Sequence, residues 1–257
     1  MRRTSIIPFV CSVCLAVVAM SVIAVTAVAG PASGFPYETH KASRRKKPDA
    51  SARVTRAMIA EAQQRLAELG YWIAGTDGKW GEPSRQGLVA FQKVEGRPRT
   101  GKLTVAEFQA LRGAARPLPR EKGFAHIEVD LNRQVLFVVD ADGTVSKILP
   151  VSTGNGKMFE LEGDTLPAVT PPGRFRVYAK LPGWRKSPLG LLYYPNYILG
   201  GIAIHGNPAV PVQPASHGCI RIPMFASKEF SDMTPVGTQV IVYAAASSAI
   251  SQDPPRP

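Results

Sequence analysis

The chain has 257 residues, a formal net charge of +12, 45% hydrophobic and 19% charged residues. At about 150 residues per domain this is one large domain or two modest ones, and the apolar share excludes wholesale disorder. Its 3 cysteines exclude a disulfide-dense scaffold, and the excess of 31 Lys+Arg over 19 Asp+Glu raises nucleic acid or an anionic surface as a partner.

Arg2 and Arg3 precede a run from Ile6 to Ala29 that is almost wholly apolar and carries no charge. Ala27-Val28-Ala29 then offers small residues where a signal peptidase reads. Residues 1–29 therefore read as an export signal, with a retained anchor as the alternative because the run exceeds about 18 residues. Either way the remainder is exported. Cys11 and Cys14 fall inside this segment, too early for lipid attachment. The mature chain keeps one thiol, Cys219, which is either an apolar filler or a reactive group.

Residues 30–54 are rich in Pro, Ala, Ser and charge, include Arg44-Arg45-Lys46-Lys47, and read as a basic disordered linker. Residues 55–113 read as a small three-helix domain. Met58, Ile59, Ala62, Leu66 and Leu69 recur at helical spacing, and Gly70 stops the first helix. A second helix opens near Pro83-Ser84, carries Leu88, Phe91 and Val94, and ends at Gly96. Thr104 and Glu107 form a capping-box pattern opening a third helix. Residues 114–123, with Pro117 and Pro119, read as a linker.

The period then changes to two. Strands are expected from His126 to Leu131, Val135 to Val139, Val145 to Val151, Arg174 to Ala179, Ile202 to Ile204 and Gln239 to Tyr243. Asp140-Ala141-Asp142-Gly143 reads as a hairpin turn, and Leu181 to Gly200 as a long loop holding Trp184, Tyr193, Tyr194 and Tyr197. A short helix is expected from Met224 to Phe230. Residues 124–245 thus form a mostly antiparallel β-sandwich or barrel, and 246–257 a disordered tail. The fold class is α+β, in two domains. The β region from 124 to 243 holds ten basic and nine acidic residues, so the positive excess lies in the signal, the linkers and the helical domain. That placement suits a tether near an anionic wall or membrane and argues against nucleic acid.

Outside the signal, two of the four histidines flank the one cysteine, in Ile204-His205-Gly206 and Ser216-His217-Gly218-Cys219-Ile220-Arg221. A thiol nucleophile needs a base or imidazolium, backbone N–H donors for an oxyanion, and a group that grips substrate. Gly218 permits close approach, and the N–H groups of Gly218 and Cys219 are candidate oxyanion donors. Arg221 lies two residues on, so an extended segment points both side chains to one face. Its charge would favour thiolate and bind a carboxylate. Two other readings remain: Cys219 as an inert core residue, or His205, His217 and Cys219 as zinc ligands with no fourth ligand evident. His126 reads as structural.

The segment resembles the signature of the L,D-transpeptidases: a His-Gly pair, a loop, then S-H-G-C, a hydrophobic residue and Arg. Thr170-Pro171-Pro172-Gly173-Arg174-Phe175 is similar to a second family segment, and the resemblance covers roughly Ala125 to Tyr243. Ten residues separate His205 from Ser216, a short loop over the site. Ala62-Gln63-Gln64-Arg65-Leu66, Leu69-Gly70-Tyr71, Asp77-Gly78-Lys79-Trp80-Gly81 and Ala90-Phe91-Gln92-Lys93 resemble a three-helix peptidoglycan-binding domain. The resemblance implies a peptidoglycan enzyme with Cys219 as nucleophile, His205 as its partner, His217 sharing that role, and Gly218 and Cys219 N–H groups at the oxyanion. Arg221, Ser216 and Gly206 would contact or frame substrate. The implied reaction joins a tetrapeptide donor stem to a diamino-acid acceptor stem in a 3→3 cross-link. Alternatives are water as acceptor, giving an L,D-carboxypeptidase, or a non-catalytic wall-binding protein. No metal or organic cofactor is implied, the protein is expected to be monomeric, and its place is the periplasm or the wall side of the cytoplasmic membrane. Trp184, Tyr193, Tyr194 and Tyr197 are expected either to wall the cleft or to be core.

Overall fold

The computed structural model describes residues 53–244. The expected export signal, residues 30–52 of the expected linker and the chain from 245 onward lie outside the described residues. The helical part comprises α1 (Arg56–Glu68), α2 (Glu82–Val94) and α3 (Val105–Gly113). Thr55 caps α1 by accepting from the Met58 N–H, and Gly70, at φ +92, takes the left-handed turn that ends it. The Tyr71 N–H then reaches back to the Leu66 carbonyl and the Gly70 N–H to that of Ala67, satisfying carbonyls the helix leaves open. Thr104 accepts from the Glu107 N–H as the capping pattern requires. The Glu107 carboxylate, however, pairs with Arg97 instead of closing the box.

The β part runs through β1 (His126–Asp130), β2 (Val135–Val139), β3 (Val145–Pro150), β4 (Met158–Leu161), β5 (Asp164–Pro167), β6 (Gly173–Arg176), β7 (Ala179–Lys180), β8 (Trp184–Ser187), β9 (Gly190–Leu199), β10 (Ile202–Asn207), β11 (Ile220–Pro223), α4 (Met224–Met233) and β12 (Gln239–Tyr243). One sheet has the order β3-β2-β1-β12-β6, and a second has β11-β10-β9-β7 with β8 paired to β9. Most pairs are antiparallel; β1 with β12 and β10 with β11 are parallel. Ile127, Val129, Leu136, Val240 and Val242 of the first sheet meet Ile198, Ile204, Ile220 and Ile222 of the second, with Ala226 and Phe230 of α4 closing the layer. The expected α+β architecture is the one observed.

The helices do not stand apart from this sandwich. Leu66, Leu88, Phe91, Phe108 and Leu111 share one core with Val135, Phe137, Val139, Val145 and Ile148 on the far side of β2 and β3. Each such side chain contributes roughly 1.5–3 kcal/mol on burial. The segment after α1 also runs beside β3: the Trp72 N–H donates to Ile148 O, and the Ile148 N–H to Gly70 O. His126 is buried in β1, with Nε2 3.0 Å from Glu128 Oε1. Glu128 also accepts from the Arg120 and Glu121 N–H groups. His126 is therefore structural, as expected, and holds down the segment between the helices and the sheets.

Two expectations need correction. The stretch Leu181 to Gly200 is a hairpin of β8 and β9, not a loop. Pro195 hides the strand in the sequence, yet it occupies a register shift between Ile204 and Gly206 of β10, next to Tyr194 at φ +47. A bulge is where a strand tolerates a residue without an N–H. The expected strand Arg174 to Ala179 breaks at Val177, whose N–H bonds Thr238 O, while the Tyr178 N–H bonds Tyr197 O. The chain crosses there from one sheet to the other. A further hairpin, β4–β5, had no counterpart in the sequence reading. Its strands are exposed, and Glu162 (φ +53) and Gly163 (φ +95) form its two-residue turn with the dihedral signs of a type I′ hairpin.

Candidate active site

Cys219 ends the loop that leads into β11. Because β10 and β11 are parallel with His205 opposite Arg221, the side chains of His205, Cys219 and Arg221 fall on one face of the sheet. That face floors a cleft of about 410 Å³. The β4–β5 hairpin forms one wall with Phe159, Leu161 and Leu166, and the β8–β9 hairpin the other with Leu189, Leu191 and Leu192. The cleft is therefore apolar at its sides and polar at its floor, the pattern of a site that excludes water around a few placed polar groups.

Cys219 is half-buried, and its Sγ is 3.7 Å from the Gly201 carbonyl. Burial pushes its thiol above the usual value, while the Ala203 N–H and the Arg221 charge pull it down. His205 is buried, with Nδ1 2.9 Å from the Gly206 carbonyl. A carbonyl only accepts, so Nδ1 carries the proton and Nε2 is the ring's free acceptor. Burial first, then the Arg221 charge, holds the His205 pKa down to about 4 against the Gly206 bond. The resting pair is thus neutral thiol and neutral imidazole. Among the described residues no carboxylate pairs with Arg221, which leaves a free cation in the cleft.

The loop before Cys219 is tied to itself and to its surroundings. Gly218 stands at φ +139, a backbone state that side chains rarely adopt, and a Cβ there would meet Val169 O at 3.0 Å. Its carbonyl accepts from Thr170 Oγ1 at 2.6 Å, and Thr170 in turn accepts from the Gly154 N–H. Thr170 belongs to the second resemblance segment; its hydroxyl braces the loop.

Three expected roles change. Ser216 lines the cleft, but its hydroxyl is engaged inside the loop, donating to Cys219 O and accepting the Gly218 N–H. For the same reason the Gly218 N–H is not free for an oxyanion. Gly206 is buried against α4, where a Cβ would stand 2.8 Å from Ser227 Cβ, so it packs and orients His205. His217 is exposed at the cleft with its ring 4.8 Å from that of Phe159. The aromatics of the 181–200 stretch do not line the cleft: Trp184 packs tilted against Tyr193, Tyr193 meets Tyr194 edge to face, and the wall falls to leucines. Phe159 and Leu166 were missed in the sequence with their hairpin; the alternation in Met158-Phe159-Glu160-Leu161 was the available signal. Among the described residues no group of three or more His, Cys, Asp or Glu has the geometry to hold a metal ion. No helix among them is long and apolar enough to cross a membrane.

A helical module packed on a β-sandwich, with thiol, imidazole and guanidinium in one apolar-walled cleft, defines a two-domain α+β protein. The family model for the L,D-transpeptidase catalytic domain matches residues 125–242, and the peptidoglycan binding domain model matches residues 55–111. An L,D-transpeptidase structure from Xylanimonas cellulosilytica is 40% identical, covers 72% of this chain and 92% of its own, and superposes with a TM-score of 0.69. The chain belongs to the L,D-transpeptidase family: it is a transpeptidase enzyme carrying a peptidoglycan-binding domain, with peptidoglycan as its substrate. An L,D-transpeptidase from Stackebrandtia nassauensis is 22% identical over 77% of this chain and 97% of its own, with a TM-score of 0.44. One from Mycobacterium smegmatis is 25% identical over 47% of this chain and 58% of its own, with a TM-score of 0.39. No curated protein matches the chain.

Proposed function

We propose that the enzyme is exported and acts on peptidoglycan stems through a Cys219 thioester, making 3→3 cross-links. The observation that carries this reading is the common face of His205, Cys219 and Arg221 in the cleft. Sγ attacks the carbonyl of the third stem residue as the thiol proton passes to His205 Nε2. The bond to the terminal D-alanine breaks, and that proton leaves on its amine. The side-chain amine of a second stem then attacks the thioester, closing the amide and restoring the thiol. The Cys219 N–H serves the oxyanion, since the Gly218 N–H is engaged by Ser216. Arg221, free of carboxylate partners, takes a donor carboxylate. Apolar walls favour the amine over water as acceptor, which supports transpeptidation above trimming. The enzyme works as a monomer on the outer side of the cytoplasmic membrane, consistent with the apolar run after Arg3.

The test is incubation of purified protein with disaccharide-tetrapeptide and mass spectrometry of the products. Cross-linked dimer and free D-alanine are expected, and neither with Cys219→Ala. Wild-type cross-linking by Cys219→Ala sinks the reading; tripeptide alone would make the enzyme a carboxypeptidase.

A further inference from the structure

The helical domain reaches the catalytic loop through two basic side chains. Lys93 of α2 is almost completely buried, and its Nζ donates to the Gln134 carbonyl at 3.0 Å and the Val151 carbonyl at 2.8 Å. A buried ammonium is costly, and a merely packing residue at this place in α2 would be apolar. Both acceptors lead toward Cys219. Gln134 is itself buried at φ +60, a strained state for a residue with a side chain. Its amide donates to Thr153 Oγ1 at 2.7 Å and accepts the Thr153 N–H at 3.0 Å. The Thr153 carbonyl accepts the N–H groups of both Ala215 and Ser216 at 2.9 Å. Val151 precedes Ser152, which exchanges backbone bonds with Arg221 and donates its hydroxyl to Gln213 O. Arg99, just beyond α2, makes the second approach: its Nη1 donates to Val212 O at 3.1 Å, inside the loop between His205 and Cys219.

We propose that Lys93 and Arg99 are positioning residues through which the helical domain sets the geometry of the loop carrying Cys219. The domain is then a structural part of the catalytic site and not only a tether to the wall. A third bridge serves as contrast. Arg116 also ties the helices to the sheet, through Glu68 O and Val145 O, but touches nothing that leads to the loop.

The inference rests on Cys219 as nucleophile, so its test has one arm that needs no substrate. In the full chain, Arg99→Ala, Arg99→Lys, Lys93→Met and Arg116→Ala are compared for alkylation of Cys219 by iodoacetamide, for kcat and KM on disaccharide-tetrapeptide, and for thermal midpoint. Arg99→Ala and Lys93→Met are expected to lower kcat by about 10- to 100-fold with KM for the donor within about twofold, because misplacement by a fraction of an ångström acts on the reacting geometry. Both are expected to change the alkylation rate. Arg99→Lys, which keeps the charge and a donor on a long side chain, is expected to restore both. Arg116→Ala lowers the thermal midpoint without moving either rate. Rates unchanged in Arg99→Ala, or lowered equally in Arg116→Ala, overturn the proposal, and Arg99→Ala decides it even if Lys93→Met does not fold. Wild-type protein inert on tetrapeptide would strike the functional reading alone, since alkylation still reports the loop.

Discussion

His205 donates its Nδ1–H to the carbonyl of Gly206, its own neighbour, at 2.9 Å. The bond leaves Nε2 as acceptor, and burial keeps the ring unprotonated down to about pH 4. The acid limb of kcat/KM should therefore have its midpoint near 4 and not near the usual imidazole value of about 6.5. Burial of the Cys219 thiol places any basic limb above its ordinary 9.0. Stability moves in the same sense: between about 4 and 6.5 the unfolded chain binds a proton that folded His205 refuses, so stability falls as pH drops through that window. A rate profile with its acid midpoint at 6 or above would show that His205 is not held in this state. His205→Asn, which cannot accept the thiol proton in the same way, should lower kcat by about 10²- to 10⁴-fold.

Gly206 has no room for a side chain. A Cβ would stand 2.8 Å from Ser227 Cβ and 3.1 Å from Tyr193 Cδ1. Gly206→Ala should destabilise the protein by about 1–3 kcal/mol and tilt the carbonyl that orients His205. Denaturant midpoints and kcat should fall together. Unchanged kcat with lowered stability would separate the packing role from the orienting one.

What the sequence discloses follows the physics of each element. α1, α2 and α3 are legible because period, caps and stop glycines agree, as Thr55, Gly70 and Thr104 show. The core strands β1, β2 and β12 are legible because both faces, or all of one, are buried. The cleft walls are not. β4–β5 is exposed and turns on Glu162-Gly163, and β9 carries Pro195 in a bulge, so each violates the rule by which strands are found. In the site, spacing alone discloses the common face of Cys219 and Arg221, and the further residues come from the resemblance to the family signature. The occupation of the Gly218 N–H by Ser216, and the crowding at Gly206, depend on loop closure and on α4, which no local pattern encodes.

Thr170 supports the far side of the same loop with one hydroxyl, donated to Gly218 O at 2.6 Å and accepting the Gly154 N–H at 2.9 Å. Thr170→Val keeps the shape but leaves a buried carbonyl and an N–H unpartnered, a cost of about 1–3 kcal/mol for each group. Acylation of Cys219 by tetrapeptide donor should slow, and Thr170→Ser should restore it. Equal rates in Val and Ser variants would mean that shape and not the hydroxyl holds Gly218 in place.

Lys93 gives the fold a pH dependence of its own. Burial, reinforced by the charge of Arg99, lowers its pKa to about 7 from 10.5. Between those values the unfolded lysine holds a proton that the folded one has released. Unfolding therefore takes up a proton, and stability rises with pH across the window. The slope is at most about 1.4 kcal/mol per pH unit, and the stabilisation is complete only above the unfolded pKa. Lys93→Met removes the titrating group and with it this slope. Urea midpoints of both proteins, measured at intervals from about pH 7 to 10, should diverge in favour of the unsubstituted chain as pH rises. Parallel curves would mean that Lys93 keeps its proton in the fold, held as a full ammonium by the carbonyls of Gln134 and Val151.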